Sequence, residues 1–157
     1  MLFAKKTQLI GLDIGSRTIK VAESEEKKSG WSLKKFGMID IEPGLIEDGA
    51  IRNPEAVSDA IRQLVKVNKI KEVNVVISIA GFSIIVKNIT VQTMEEEQLQ
   101  ETIKFEAEQY IPFDIEDVNL DFQILGVNES NPNQMNVLLV AAKKEMVNDY
   151  VNLVKMA

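Results

Sequence analysis

The stretch Gly11-Leu12-Asp13-Ile14-Gly15-Ser16-Arg17-Thr18-Ile19-Lys20 reads as a strand, a tight polar turn and a second strand. Gln8 to Leu12 supplies the first strand, with Leu9, Ile10 and Leu12 apolar. Thr18 to Ala22 alternates after the turn. Two readings stand side by side. Asp, Gly and Ser are ordinary turn residues, so a plain hairpin fits. The same residues also carry phosphate chemistry. Gly15 permits positive φ and lets backbone N–H groups approach an anion. Ser16 and Thr18 donate hydrogen bonds, and Lys20 brings a positive charge. Asp13 suits a magnesium ion held through its water shell.

Working outward, the composition narrows the chemistry. The 157 residues are 45% hydrophobic and 27% charged, enough apolar mass for one domain or two small interlocked ones. The formal net charge of −6 argues against nucleic-acid or anionic-membrane binding, which wants clustered Lys and Arg. The chain has no cysteine and no histidine. Disulfides, thiolate metal sites, Ser-His-Asp catalysis and nearly all zinc sites are therefore excluded. Met1 to Lys6 is too short in apolar residues for a signal peptide. The longest clean apolar run, Val137 to Ala142, is far below the roughly 20 residues of a membrane helix. A cytoplasmic location is the expectation.

In chain order, a third strand is expected over Trp31 to Ile39, completing an antiparallel meander. Pro43-Gly44 marks a crossing point, and Leu45 to Ile51 an irregular connector. Asn53-Pro54 opens a helix whose stripe is Val57, Ala60, Ile61, Leu64 and Val65, ending near Asn68. Val73 to Ala80 reads as a strand buried on both faces, forming a hairpin with Ser83 to Gln92 through Gly81-Phe82. Thr93 caps a helix with Leu99, Ile103, Ala107 and Tyr110 inward and Phe105 off the stripe. Val118 to Gly126 alternates as a half-buried strand, Asn128 to Gln134 reads as a polar loop, and Met135 to Lys143 as a buried strand. A last helix from Lys144 carries Val147, Tyr150, Val151 and Val154. It reaches Ala157 without a glycine or proline stop signal, so the natural chain is expected to continue. Glu95 to Asp121 holds ten acids and one base, Lys104, a pattern of solvated faces rather than a catalytic pair. No catalytic residue is assigned.

Gly11 to Ser16 followed by Ile19-Lys20 resembles the first phosphate loop of the actin-like ATPase superfamily. Phe105-Glu106-Ala107-Glu108-Gln109-Tyr110-Ile111-Pro112-Phe113-Asp114 is similar to a block typical of the PilM family of cytoplasmic type IV pilus assembly proteins. Lys87-Asn88-Ile89, Val118 to Phe122 and Val137 to Lys144 resemble the same family.

That resemblance implies an α/β (α+β) actin-like fold, related to the division protein FtsA. A partial subdomain 1A would receive an inserted 1C subdomain. Residues 1–43 would begin 1A, 44–130 would form 1C, and 131–157 would return to 1A. ATP and Mg would be the cofactors of the full-length protein. Asp13 would sit near the magnesium, Gly15, Ser16, Arg17 and Thr18 would line the phosphates, and Lys20 would contact a phosphate oxygen. This chain ends before the second clamp domain, so it is expected to bind no nucleotide firmly and to hydrolyse none. The implied function is a scaffold beneath the inner membrane that holds the N-terminal cytoplasmic peptide of PilN in a 1A–1C groove, beside other pilus assembly proteins. An isolated chain would pair with itself through its uncovered apolar face. The alternatives are an active ATPase or sugar-kinase-like enzyme, whose base and sugar pocket are not evident, and an FtsA-like division protein.

Overall fold

The computed structural model of the protein describes residues 9–81 and 83–157. It divides into two compact units: the described part of Met1–Gly81 with Asp149–Ala157, and that of Phe82–Asn148.

The first unit is organised on the opening hairpin. Strands β1 (Ile10–Ile14), β2 (Thr18–Lys27) and β3 (Gly30–Asp40) form the expected antiparallel meander. Asp13 and Ile14 belong to β1, so the turn is shorter than its polar residues imply. Short strands β4 (Ile46–Glu47) and β5 (Ala50–Ile51) lie in the connector and pair with each other. Helix α1 (Pro54–Val67) starts where its sequence demands: the Asn53 side chain accepts from the Ala56 N–H at 3.0 Å, and Pro54 fills a first-turn position that needs no donor. Val57, Ile61 and Leu64 are buried. They pack α1 against β2 and β3, over a core of Ile10, Leu12, Ile14, Ile19 and Val21.

Strand β6 (Val75–Ile77) overturns the expected hairpin with Ser83–Gln92. It lies parallel to β1, with Ile10 opposite Val75 and Leu12 opposite Ile77, and Ile10 N–H donates to Asn74 O at 3.0 Å. The sheet order is β3-β2-β1-β6. The free edge of β1 offered backbone partners that a local turn could not outbid. Nor is the segment buried on both faces, since Val73 is 85% exposed and Val76 52%. Gln8 and the Phe82 turn lie outside the described residues, as does the Met1–Lys6 segment.

The second unit holds β7 (Ile84–Gln92), α2 (Glu96–Ala107), a 3-10 turn (Ile115–Asp117), β8 (Val118–Asn128) and β9 (Asn131–Lys143). Its antiparallel sheet runs β7-β9-β8. Leu99, Ile103 and Ala107 of α2 enter one cluster with Ile89, Val91, Met135, Val137 and Leu139. The helix is capped at Glu95, whose N–H donates to the Gln98 side chain at 3.3 Å; Thr93 is instead tied to Pro132 and Asn133. Tyr110 lies beyond the helix end, its N–H on Ala107 O. The expected loop at Asn128 to Gln134 shrinks to a tight turn, because Asn131 already pairs with Asn128.

These pairings move the division of the chain. The expected boundaries were 43/44 and 130/131. Residues 44–81 instead belong with the first unit, through α1 and β6. The strand Asn131–Lys143 does not return to the first sheet, because it is hydrogen-bonded to both β7 and β8. Helix α3 (Lys144–Met156) begins in the second unit and ends in the first. There Tyr150 and Leu153 are buried. Arg62 of α1 donates twice to Met156 O, at 3.2 and 2.9 Å, satisfying a carbonyl at the end of α3.

Candidate functional site

The hairpin loop Gly15-Ser16-Arg17 turns at the end of the first unit's sheet. Gly15 N–H donates to Thr18 O at 3.0 Å. A Cβ at Gly15 would stand 2.9 Å from that same oxygen, nearer than side chains tolerate. Gly15 is thus required for close backbone approach and not for positive φ, since it is not among the residues with positive φ. This corrects the conformational reason inferred from the motif.

Asp13, Gly15 and Ser16 line a cavity of about 410 Å³. Across from the hairpin it is completed by Asp48 and Gly49 of the β4–β5 turn, by Ser78, Ala80 and Gly81 after β6, and by Tyr150 of α3. The Tyr150 hydroxyl donates to Gly49 O at 3.1 Å, and burial raises its pKa. The structure therefore brings together three of the six residues assigned to Mg-ATP: Asp13 for the magnesium, and Gly15 and Ser16 for the phosphates. Arg17, Thr18 and Lys20 do not line this cavity. The Thr18 and Arg17 carbonyls serve the fold, the latter accepting from Ile41 N–H at 2.9 Å. Lys20 sits opposite Asp13 in the β1–β2 register, and its Nζ lies 2.8 Å from Asp13 Oδ2. Both lie on the sheet face away from α1, beside a second, open cavity of about 420 Å³.

The cavity offers hard oxygen donors and hydroxyls, a set that suits magnesium rather than a soft metal. Among the described residues no cluster of three or more acidic side chains forms a cage. Asp48, Ser78, Gly81 and Tyr150 were not singled out from the sequence. Only the Asp48-Gly49 dipeptide left a local trace there, as a turn signal.

Elsewhere in the first unit, a buried carboxylate pins β2 to β3. Glu23 is 4% exposed, and its two oxygens lie 2.7 Å from Lys34 Nζ and 2.9 Å from Lys35 Nζ. Hydrogen bonds from Lys34 and then Lys35 hold its carboxyl below the usual range. Lys35 also donates to Lys69 O at 2.7 Å, joining the strand to the end of α1.

Among the described residues, no helix is long and apolar enough to cross a membrane. The structure of a PilM–PilN type IV pilus biogenesis complex matches with a TM-score of 0.83 and 29% identity, over 96% of this chain and 44% of that one. The cytoplasmic domain of EpsL, an inner-membrane component of the type II secretion system of Vibrio cholerae, matches with a TM-score of 0.57 and 14% identity. That match covers 94% of this chain and 52% of the other, and supports the fold alone. The chain thus spans about half the length, or less, of these structures. The family description "Type IV pilus assembly protein PilM" matches residues 11–157. The chain belongs to the PilM family and has its mixed α/β, actin-like fold.

Proposed function

We propose that the protein is a cytoplasmic scaffold of type IV pilus assembly that holds the N-terminal cytoplasmic tail of PilN beneath the inner membrane. The observation that carries this reading is the likeness, over 96% of the chain, to a PilM in complex with PilN. Residues 9–81 with 149–157 would correspond to subdomain 1A, and 82–148 to the inserted 1C. An extended peptide bound by such a protein would gain affinity from main-chain hydrogen bonds and selectivity from side-chain pockets.

The same reading assigns Mg-ATP to the cavity around Asp13. Asp13 would take the ion through water, and Gly15 and Ser16 would meet the phosphates. Lys20 would have to leave Asp13 to reach a phosphate oxygen; Arg17 and Thr18 would act only if the loop rearranged. Magnesium would supply charge neutralisation for the phosphates. The isolated 157-residue chain would self-associate through the exposed row Trp31, Leu33, Phe36 and Met38 on β3. Light scattering at rising concentration tests this, and a constant monomer mass would refute it. The scaffold reading is tested by titrating a labelled PilN N-terminal peptide with the full-length protein. Saturable binding is expected, and no binding would sink the assignment.

A further inference from the structure

The cavity's charge balance singles out a residue that the hairpin motif does not contain. Asp48 and Gly49 form a two-residue turn with φ of 51° and 83°. Two strand pairs alone would hold such a turn poorly, yet it is anchored on both sides. Ile46 is 3% exposed, Leu45 O accepts from Arg52 N–H at 2.8 Å, and the buried Tyr150 hydroxyl grips Gly49 O. Asp48 is thereby fixed on the cavity wall, and its carboxylate makes no hydrogen bond or ion pair among the described residues. Asp13 shares that cavity, with Lys20 on only one of its oxygens. Among the described residues, no lysine or arginine lines it. A bare phosphate entering this space meets two carboxylates and no cation among the described lining residues, so it is repelled unless it brings positive charge of its own.

Resting on the nucleotide reading above, we propose that Asp48, positioned by Tyr150, is a specificity-determining residue that restricts this cavity to phosphates carrying a divalent cation. Asn is the natural probe. It preserves the shape of the side chain and is among the residues that best tolerate positive φ, so Asp48→Asn keeps the turn. The experiment measures equilibrium binding of ADP to the full-length protein, with excess magnesium and with chelator. Wild type should bind far more weakly in chelator. Asp48→Asn should narrow that ratio by about tenfold, mainly through recovered metal-free binding. Tyr150→Phe keeps the ring and frees the turn, and should narrow the ratio in the same direction by less. A ratio unchanged in Asp48→Asn overturns the proposal. So does a Tyr150→Phe protein that melts earlier while keeping the wild-type ratio, because Tyr150 would then be structural only. Wild-type protein that binds ADP under neither condition overturns the nucleotide reading itself.

Discussion

The two units bury one sheet face each and differ in what they do with the other. In the second unit, the face opposite α2 is mostly polar: Asn88, Thr90, Asn119, Asp121 and Gln123 of the edge strands are exposed there, with Val86 at 60% exposure among them. In the first, the corresponding face carries Trp31 at 73% exposure, Leu33 at 66%, and Phe36 and Met38 at 56% each. Polar side chains on an outer face are at home in water, whereas four large apolar side chains in a row on β3, beside the Asp13–Lys20 pair, form a patch that suits a covering partner. The candidate cavity lies in the unit that carries this apolar row. The difference teaches that the second unit's core closes on itself, while the first unit keeps its loops and one face available.

The sharpest way to break this comparison is Leu139→Ala. Leu139 is wholly buried at the centre of β9, and its truncation should cost about 2–5 kcal/mol. If the second unit has its own core, hydrogen exchange should quicken in β7, β8 and β9 and stay slow in β1 and β2. Equal loss in both sheets would show one shared core.

A smaller effect is expected at the seam between α1 and β3. A Cβ on Gly37 would fall 2.2 Å from Asn68 Nδ2, which itself donates to Leu64 O at 2.8 Å. Gly37→Ala should displace that amide and cost about 1–2 kcal/mol, the value of the lost bond and some repacking. Asn68→Ala should remove most of the clash, so chemical denaturation of the double variant should fall well short of additivity. Full additivity would refute the clash.

The smallest change is in acid. Glu23 has a folded pKa below its unfolded one, so its contribution is fully present above the unfolded carboxyl's pKa, about 4.3. It is lost as pH falls through the lower folded value. Glu23→Gln should flatten the stability profile of the first unit below that pH. An identical acid limb in the variant would exclude Glu23 as its source.

Much of this was legible locally. Asn53-Pro54 started α1, and the alternation of Leu120, Phe122 and Ile124 set which side chains of β8 share a face, because caps and period-two patterns act over a few residues. The Phe105–Asp114 block identified the family that the comparisons then showed. The pairing of β6 with β1 was not legible, since it joins residues some 65 positions apart and Gly81 signals a turn whichever partner follows. The same holds for the site. Asp13, Gly15 and Ser16 announced themselves as a motif, but Tyr150 reaches Gly49 across 101 positions, a contact that only packing creates. Lys20 carried the right charge for a phosphate, yet the strand register places it against Asp13.

The central claim is the scaffold. The most direct test is fluorescence anisotropy of a labelled PilN N-terminal peptide titrated with the full-length protein, beside a peptide of scrambled sequence. The account predicts saturable binding of the native peptide alone. Absence of binding, or equal binding of the scrambled peptide, would contradict it.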